Sequence, residues 1–95
     1  TGEAELAFYD LAQKKYITTV FKEDMELLSL TGNVSMIGGE MVVHNHGVFS
    51  GKDLVAKGGH VTEAIVSGAC EVALQKIEGD IERSYDAKTG LNLMQ

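Results

Sequence analysis

The sequence has no proline, so its turns must be built from glycine, asparagine and aspartate. It has no long apolar run either, and nothing in it reads as a membrane span. Its start does not read as a secretory leader. There is one cysteine, Cys70, which cannot close an internal disulfide; that suits a reducing cytoplasm. Cys70 lies among Ala69, Val72 and Leu74 and is expected to be a buried small apolar residue. Its neighbour Glu71 is the opposite of the cationic surroundings that activate a thiol. Positive charge is scarce: 8 Lys and Arg stand against 14 Asp and Glu, a net charge of −6. Only Lys14 and Lys15 are adjacent. Nucleic-acid binding rests on neutralising phosphates, so direct DNA binding is not expected of this chain.

What is present fits one folded domain. Ninety-five residues with an apolar fraction of 44% argue against disorder and allow a single small core. Cores of this size are often supplemented by oligomerisation or a metal. The first residue is Thr1 rather than a methionine, so residues either removed or missing ahead of it are expected.

Glycine breaks recur at short intervals, at Gly32, Gly38-Gly39, Gly51, Gly58-Gly59, Gly79 and Gly90, which suits strands. Glu5 to Tyr9 alternates, Asp10 to Lys15 is a polar turn, and Tyr16 to Phe21 is dense in aromatic and β-branched residues. These predict a hairpin. Glu26 to Thr31 predicts a third strand, ended by Gly32-Asn33, with Val34 to Ile37 as a short extension. Met41 to Phe49 is the longest strand candidate. Ser50 to Asp53 is its turn, and Leu54 to Val61 returns as the partner strand. In Thr62 to Ile77, Cys70, Val72 and Leu74 alternate with polar or small residues, so its second half is expected to be β. The tail holds a turn-like run from Tyr85 to Gly90, followed by Leu91, Leu93 and Met94. No long amphipathic helix is visible to cover such a sheet.

All three histidines fall on one predicted hairpin. His44 and His46 are two apart in Val42-Val43-His44-Asn45-His46-Gly47-Val48, so in a strand they share a face, roughly 6.5–7 Å apart. The turn brings the next strand to about 4.8 Å, and that strand carries Gly59-His60. His60 can reach the same point, with the register left open. One histidine alone would ordinarily be a hydrogen-bonded structural residue. Three on one hairpin point to a divalent metal, with zinc the first choice, since three neutral imidazoles leave a position for water. Nickel, copper and iron accept the same ligands. Asn45 and Gly47 face the other way. An ion held like this suits hydrolytic or hydratase chemistry, for which Glu26, Glu40 and Glu63 are acid–base candidates by residue type alone. A structural ion at a subunit interface is the alternative.

The order Glu5-Leu6-Ala7-Phe8-Tyr9-Asp10, then Tyr16, then Glu26-Leu27-Leu28-Ser29-Leu30-Thr31-Gly32-Asn33, then His44-x-His46, then Gly58-Gly59-His60, resembles the plants-and-prokaryotes conserved (PPC) domain. The tail, Ile81-Glu82-Arg83-x-Tyr85-Asp86 and Thr89 to Leu93, is similar to the end of prokaryotic members. The resemblance implies an α+β fold, a mainly antiparallel sheet assembled as a trimer. It also implies that residues 1–95 are a single PPC-like domain whose N-terminal portion, with a covering helix, lies outside this sequence. It carries the family's metal ligands onto His44, His46 and His60. Plant relatives add AT-hook segments for DNA, and none is present here. The plant partner-binding motif Gly-Arg-Phe-Glu-Ile-Leu falls on Glu23 to Leu28, with two acids in place of Gly-Arg. Prokaryotic members carry a DNA-binding label through this relationship. The expected function is a stand-alone homotrimeric, metal-binding interaction or regulatory module in the cytoplasm. It would meet a protein partner or a small molecule at the metal site. The alternative is a zinc-dependent enzyme.

Overall fold

The computed structural model describes residues 1–79 and 81–94. Among these the regular structure is entirely β, so the expected covering helix is not found in them. Strand β1 (Glu3–Asp10) pairs with β2 (Lys15–Phe21) as the predicted hairpin. Strands β3 (Glu26–Ile37), β4 (Glu40–Ser50) and β5 (Ala56–Ile65) complete a five-stranded sheet in the order β2-β1-β5-β4-β3. Every neighbouring pair in it is antiparallel. Strands β6 (Arg83–Asp86) and β7 (Leu91–Met94) form a separate two-stranded hairpin.

One face of the sheet carries the core. Leu6 on β1 pairs with Val61 on β5 and Thr19 on β2, and Phe49 on β4 pairs with Leu27 on β3. Ala4, Leu6, Met25 and Phe49 are buried, with Phe21, Leu27 and Val61 packed against them. The same face also presents apolar side chains that nothing among the described residues covers. Phe8 and its partner Ile17 are 71% and 47% exposed. The described residues form one five-stranded sheet and a two-stranded hairpin, and supply no second layer over this face.

The opposite face carries the histidines. Alternation along the strands puts Ala7 and Tyr9 of β1, Tyr16 of β2, His60 of β5 and His44 and His46 of β4 on that side. The β6–β7 hairpin lies over it. It is held to the end of β3 by a hydrogen bond from the Met36 amide to the Ile81 carbonyl (2.8 Å) and a parallel bridge between Met36 and Glu82.

Three expectations from the sequence are corrected. Strand β3 does not end at Gly32-Asn33 but runs through it. Gly32 pairs with Asn45 where the strands approach so closely that a Cβ would overlap the His44 carbonyl oxygen, so the glycine serves contact, not a turn. Residues 66–79 form no strand. Their alternating apolar residues find no partner strand, and Leu74 is 86% exposed. Cys70 lies in this segment and is exposed rather than buried, for the same reason. A smaller shift is that β5 begins at Ala56, two residues after Leu54, and continues to Ile65.

Candidate metal centre

The β4–β5 register places His46 directly opposite His60, followed by Gly47 opposite Gly59 and Val48 opposite Gly58. His44 is two residues from His46 on the same face, so the pleat brings three imidazoles together. The ring centroids are 5.0 Å apart for His44 and His46, 4.9 Å for His44 and His60, and 5.5 Å for His46 and His60. One ligand nitrogen from each ring lies within 4.8 Å of the others. A tetrahedral ion bonded at 2.0–2.1 Å wants nitrogens about 3.4 Å apart, so modest side-chain rotation closes the set.

The surroundings leave one ring nitrogen unpartnered and favour neutral imidazoles. His60 Nδ1 is buried and has no hydrogen-bond partner. An orphaned buried polar atom costs about 1–3 kcal/mol, and a cation accepted at the histidine cluster would offset that cost. His44 and His60 both have their pKa lowered, first by burial. For His44 the Arg83 guanidinium adds to this, then the neighbouring His60 and His46; for His60 it is His46. Metal ligation needs neutral imidazole, and these shifts favour that form.

The walls are aromatic and cationic. Tyr16 lies against the His60 ring at 4.8 Å with 31° between the planes, and Tyr9 meets Tyr16 edge-on at 4.9 Å. Tyr9 donates from its hydroxyl to the Thr89 carbonyl (2.5 Å), tying β1 to the β6–β7 turn. Burial, then Tyr85 and Tyr16, raises its pKa and keeps the phenol a donor. That turn is closed by Thr89, whose amide and hydroxyl donate to Asp86 Oδ2 at 3.1 and 2.7 Å and hold the Asp86 pKa below its usual value. Gly90, at φ 78°, sits beneath the Tyr9 hydroxyl, where a Cβ would come within 2.8 Å.

Arg83 is the site residue that sequence reasoning missed. Its Nε donates to Ser35 Oγ (2.8 Å), Nη1 to the Asn92 carbonyl (2.9 Å), and Nη2 to Asn33 Oδ1 (3.2 Å) and to His44 Nδ1 (3.0 Å). Its only sequence signal was a place in the similar tail. The contacts themselves span 39 to 50 residues on the histidine side, beyond the reach of any local pattern. Conversely, none of Glu26, Glu40 and Glu63 lines the histidine pocket. Glu26 and Glu40 sit at strand starts opposite Ser50 and Ile37, and Glu63 faces Glu5 on β1.

Comparison with known proteins places this architecture. No curated protein sequence matches the chain. Its fold matches the crystal structure of a "putative DNA-binding protein" from Bacteroides thetaiotaomicron, with 34% identity and a TM-score of 0.94. That match covers 99% of this chain and 66% of the other. It also matches a metal-containing protein from Archaeoglobus fulgidus, with 33% identity, a TM-score of 0.79, and coverage of 99% and 66%. A plant- and prokaryote-conserved (PPC) protein from Pyrococcus horikoshii matches with 28% identity, a TM-score of 0.78, and coverage of 99% and 67%. The chain thus spans about two thirds of the length of these relatives. The Plants and Prokaryotes Conserved (PCC) domain model matches residues 2–78, from β1 through the whole histidine hairpin, and the chain belongs to that family.

Proposed function

We propose that this chain is the metal-binding part of a homotrimeric interaction or regulatory module, with His44, His46 and His60 holding a divalent ion, zinc by preference. The observation that carries the reading is the grouping of three imidazoles on two adjacent strands, with His60 Nδ1 buried and unpartnered. The donor set of three neutral nitrogens is one that zinc accepts. The metal-containing relative from Archaeoglobus fulgidus, at 33% identity, supports the same reading. The trimer, and a covering helix from residues outside this sequence, would account for the apolar face around Phe8 and Ile17, too exposed to be left to water. Metal analysis of the purified protein tests the first claim. We expect about one ion per chain, lost when His44 and His46 are both replaced by alanine. Retained metal in that variant would overturn the assignment. Light scattering tests the second, and a monomer would refute the trimer.

One observation favours a second reading, a zinc-dependent enzyme. The histidines open into a pocket of about 670 Å³ rather than a sealed cage. An ion held there would supply Lewis acidity toward a carbonyl or phosphoryl oxygen. Among the described residues no carboxylate lines that pocket to act as base, so the binding-module reading is put first. DNA binding, the label on the Bacteroides relative, is opposed by the net charge of −6. A gel shift at low salt would show it if present.

A further inference from the structure

The pocket over the histidines has a charge opposite to that of the protein. The chain carries −6 overall, yet among the described residues no Asp or Glu lines this pocket, while Arg83, Lys14 and Lys15 do. Arg83 is half-buried and spends its hydrogen bonds on neutral acceptors, namely Ser35, Asn33, His44 and the Asn92 carbonyl. Among the described residues no carboxylate forms an ion pair with it. Lys14 donates to the Ala87 carbonyl (2.8 Å) and makes no close ion pair, although the Asp86 carboxylate is near enough to feel its charge, so Arg83 is the cation left without an anion. A partly desolvated guanidinium without an anion is a costly arrangement unless something else supplies the negative charge. Nη1 carries two N–H groups and gives one to Asn92, so one remains for a ligand. Apart from the histidines and Asn92, the rest of the lining is mostly apolar or aromatic and includes Tyr16, Val42, Val43, Leu91 and Leu93. A volume of about 670 Å³ lies within the usual range for small-molecule sites.

We propose that this pocket binds a small organic oxyanion, a carboxylate or a phosphate ester attached to a flat or apolar body. Arg83 takes the anionic group, as guanidinium does for both chemistries. Lys14 and Lys15 contribute positive potential, which a concave wall concentrates. Tyr16, Leu91 and Leu93 pack the body of the ligand. The inference goes beyond metal binding, since these cations belong to the chain whether or not an ion is held.

The test is an NMR titration of the full chain, first stripped with chelator and then loaded with zinc. The probes are inorganic phosphate, benzoate and the neutral isostere benzamide, at constant ionic strength. Benzoate or phosphate should shift the Arg83 Nε–H and the backbone amides of His44 and His60 saturably in both preparations. Benzamide should bind about tenfold more weakly or less. Saturation by phosphate alone assigns a phosphate ester; saturation by benzoate alone assigns a carboxylate. Saturation by both supports the shared oxyanion chemistry. Arg83→Gln should lower the affinity about tenfold, Arg83→Lys less, and Lys15→Gln about twofold. The proposal falls if neither anion saturates, or if benzamide binds as well as benzoate. It also falls if binding appears only after zinc is added, or if a folded Arg83→Gln keeps full affinity. Should Arg83→Gln not fold, the benzoate and benzamide comparison on the unaltered protein decides. The metal content of the two preparations, measured separately, keeps a failure of this proposal distinct from a failure of metal binding.

Discussion

The Arg83 guanidinium donates to Nδ1 of His44 across 3.0 Å. Arginine has no acceptor, so Nδ1 must offer its lone pair, and the ring proton of neutral His44 then sits on Nε2. That tautomer has no lone pair left for a cation. A metal ion would therefore compete with Arg83 for His44. Replacing Arg83 by glutamine should raise zinc affinity about five- to tenfold, through removal of both the donor and the positive charge. Competition against a chromophoric chelator measures this. An affinity that falls would instead mean that Arg83 orients His44 for the ion.

Zinc should stabilise the fold through linkage. At free zinc 100-fold above its dissociation constant, the gain is about 2.7 kcal/mol, a clear rise in melting temperature. The His44→Ala, His46→Ala double variant should show no rise. A thermal melt with and without chelator distinguishes the two cases.

The metal-free protein should lose stability as pH falls. His44 and His60 have folded-state pKa values below the ordinary 6.5. Around pH 6.5 and just below, the unfolded chain therefore binds more protons than the folded one, and stability rises with pH in that window. The contribution is fully present above the unfolded pKa. It declines as pH drops through 6.5 toward the depressed folded values, below which it is flat. Urea midpoints from pH 8 to 5 should trace this decline, and replacing both histidines by glutamine should flatten it.

Gly32→Ala should destabilise the protein by about 2–3 kcal/mol, because the added Cβ is driven into the backbone of β4 at His44. Zinc affinity should fall with it, since the displaced residue is itself a ligand candidate. Gly38→Ala provides a comparison, in a turn where nothing lies within 4 Å. Its cost should come from the positive φ alone and leave zinc affinity intact.

Cys70 should react with a thiol reagent in the folded chain at close to the rate of the unfolded one, given its exposure. Protection would show that another segment or subunit covers residues 66–79.

The histidine hairpin was legible in the sequence because its signal is local: two histidines two residues apart, a turn, and a third histidine on the returning strand. Only the pairing of His46 with His60 needed the structure. The uninterrupted β3 was not legible. Gly32-Asn33 reads as a break along the chain, and its reason lies across the sheet, in the approach to His44. The alternation of Cys70, Val72 and Leu74 misled for a related cause: a strand pattern makes a strand only where a partner edge is available. Arg83 was invisible because the residues it joins, Asn33, Ser35 and His44, are far from it in sequence.

The exposed, irregular segment 66–79 acts as a tether between the sheet and the hairpin that carries Arg83. Its length sets the effective concentration at which the guanidinium meets His44, and that concentration changes only slowly with loop length. Nicking the tether would turn an intramolecular contact into a bimolecular one while leaving the contacts of Arg83, Met36 and Tyr9 in place. Two fragments cut there should reassociate, and dilution would then vary the occupancy of Arg83 at the histidines without altering a single side chain.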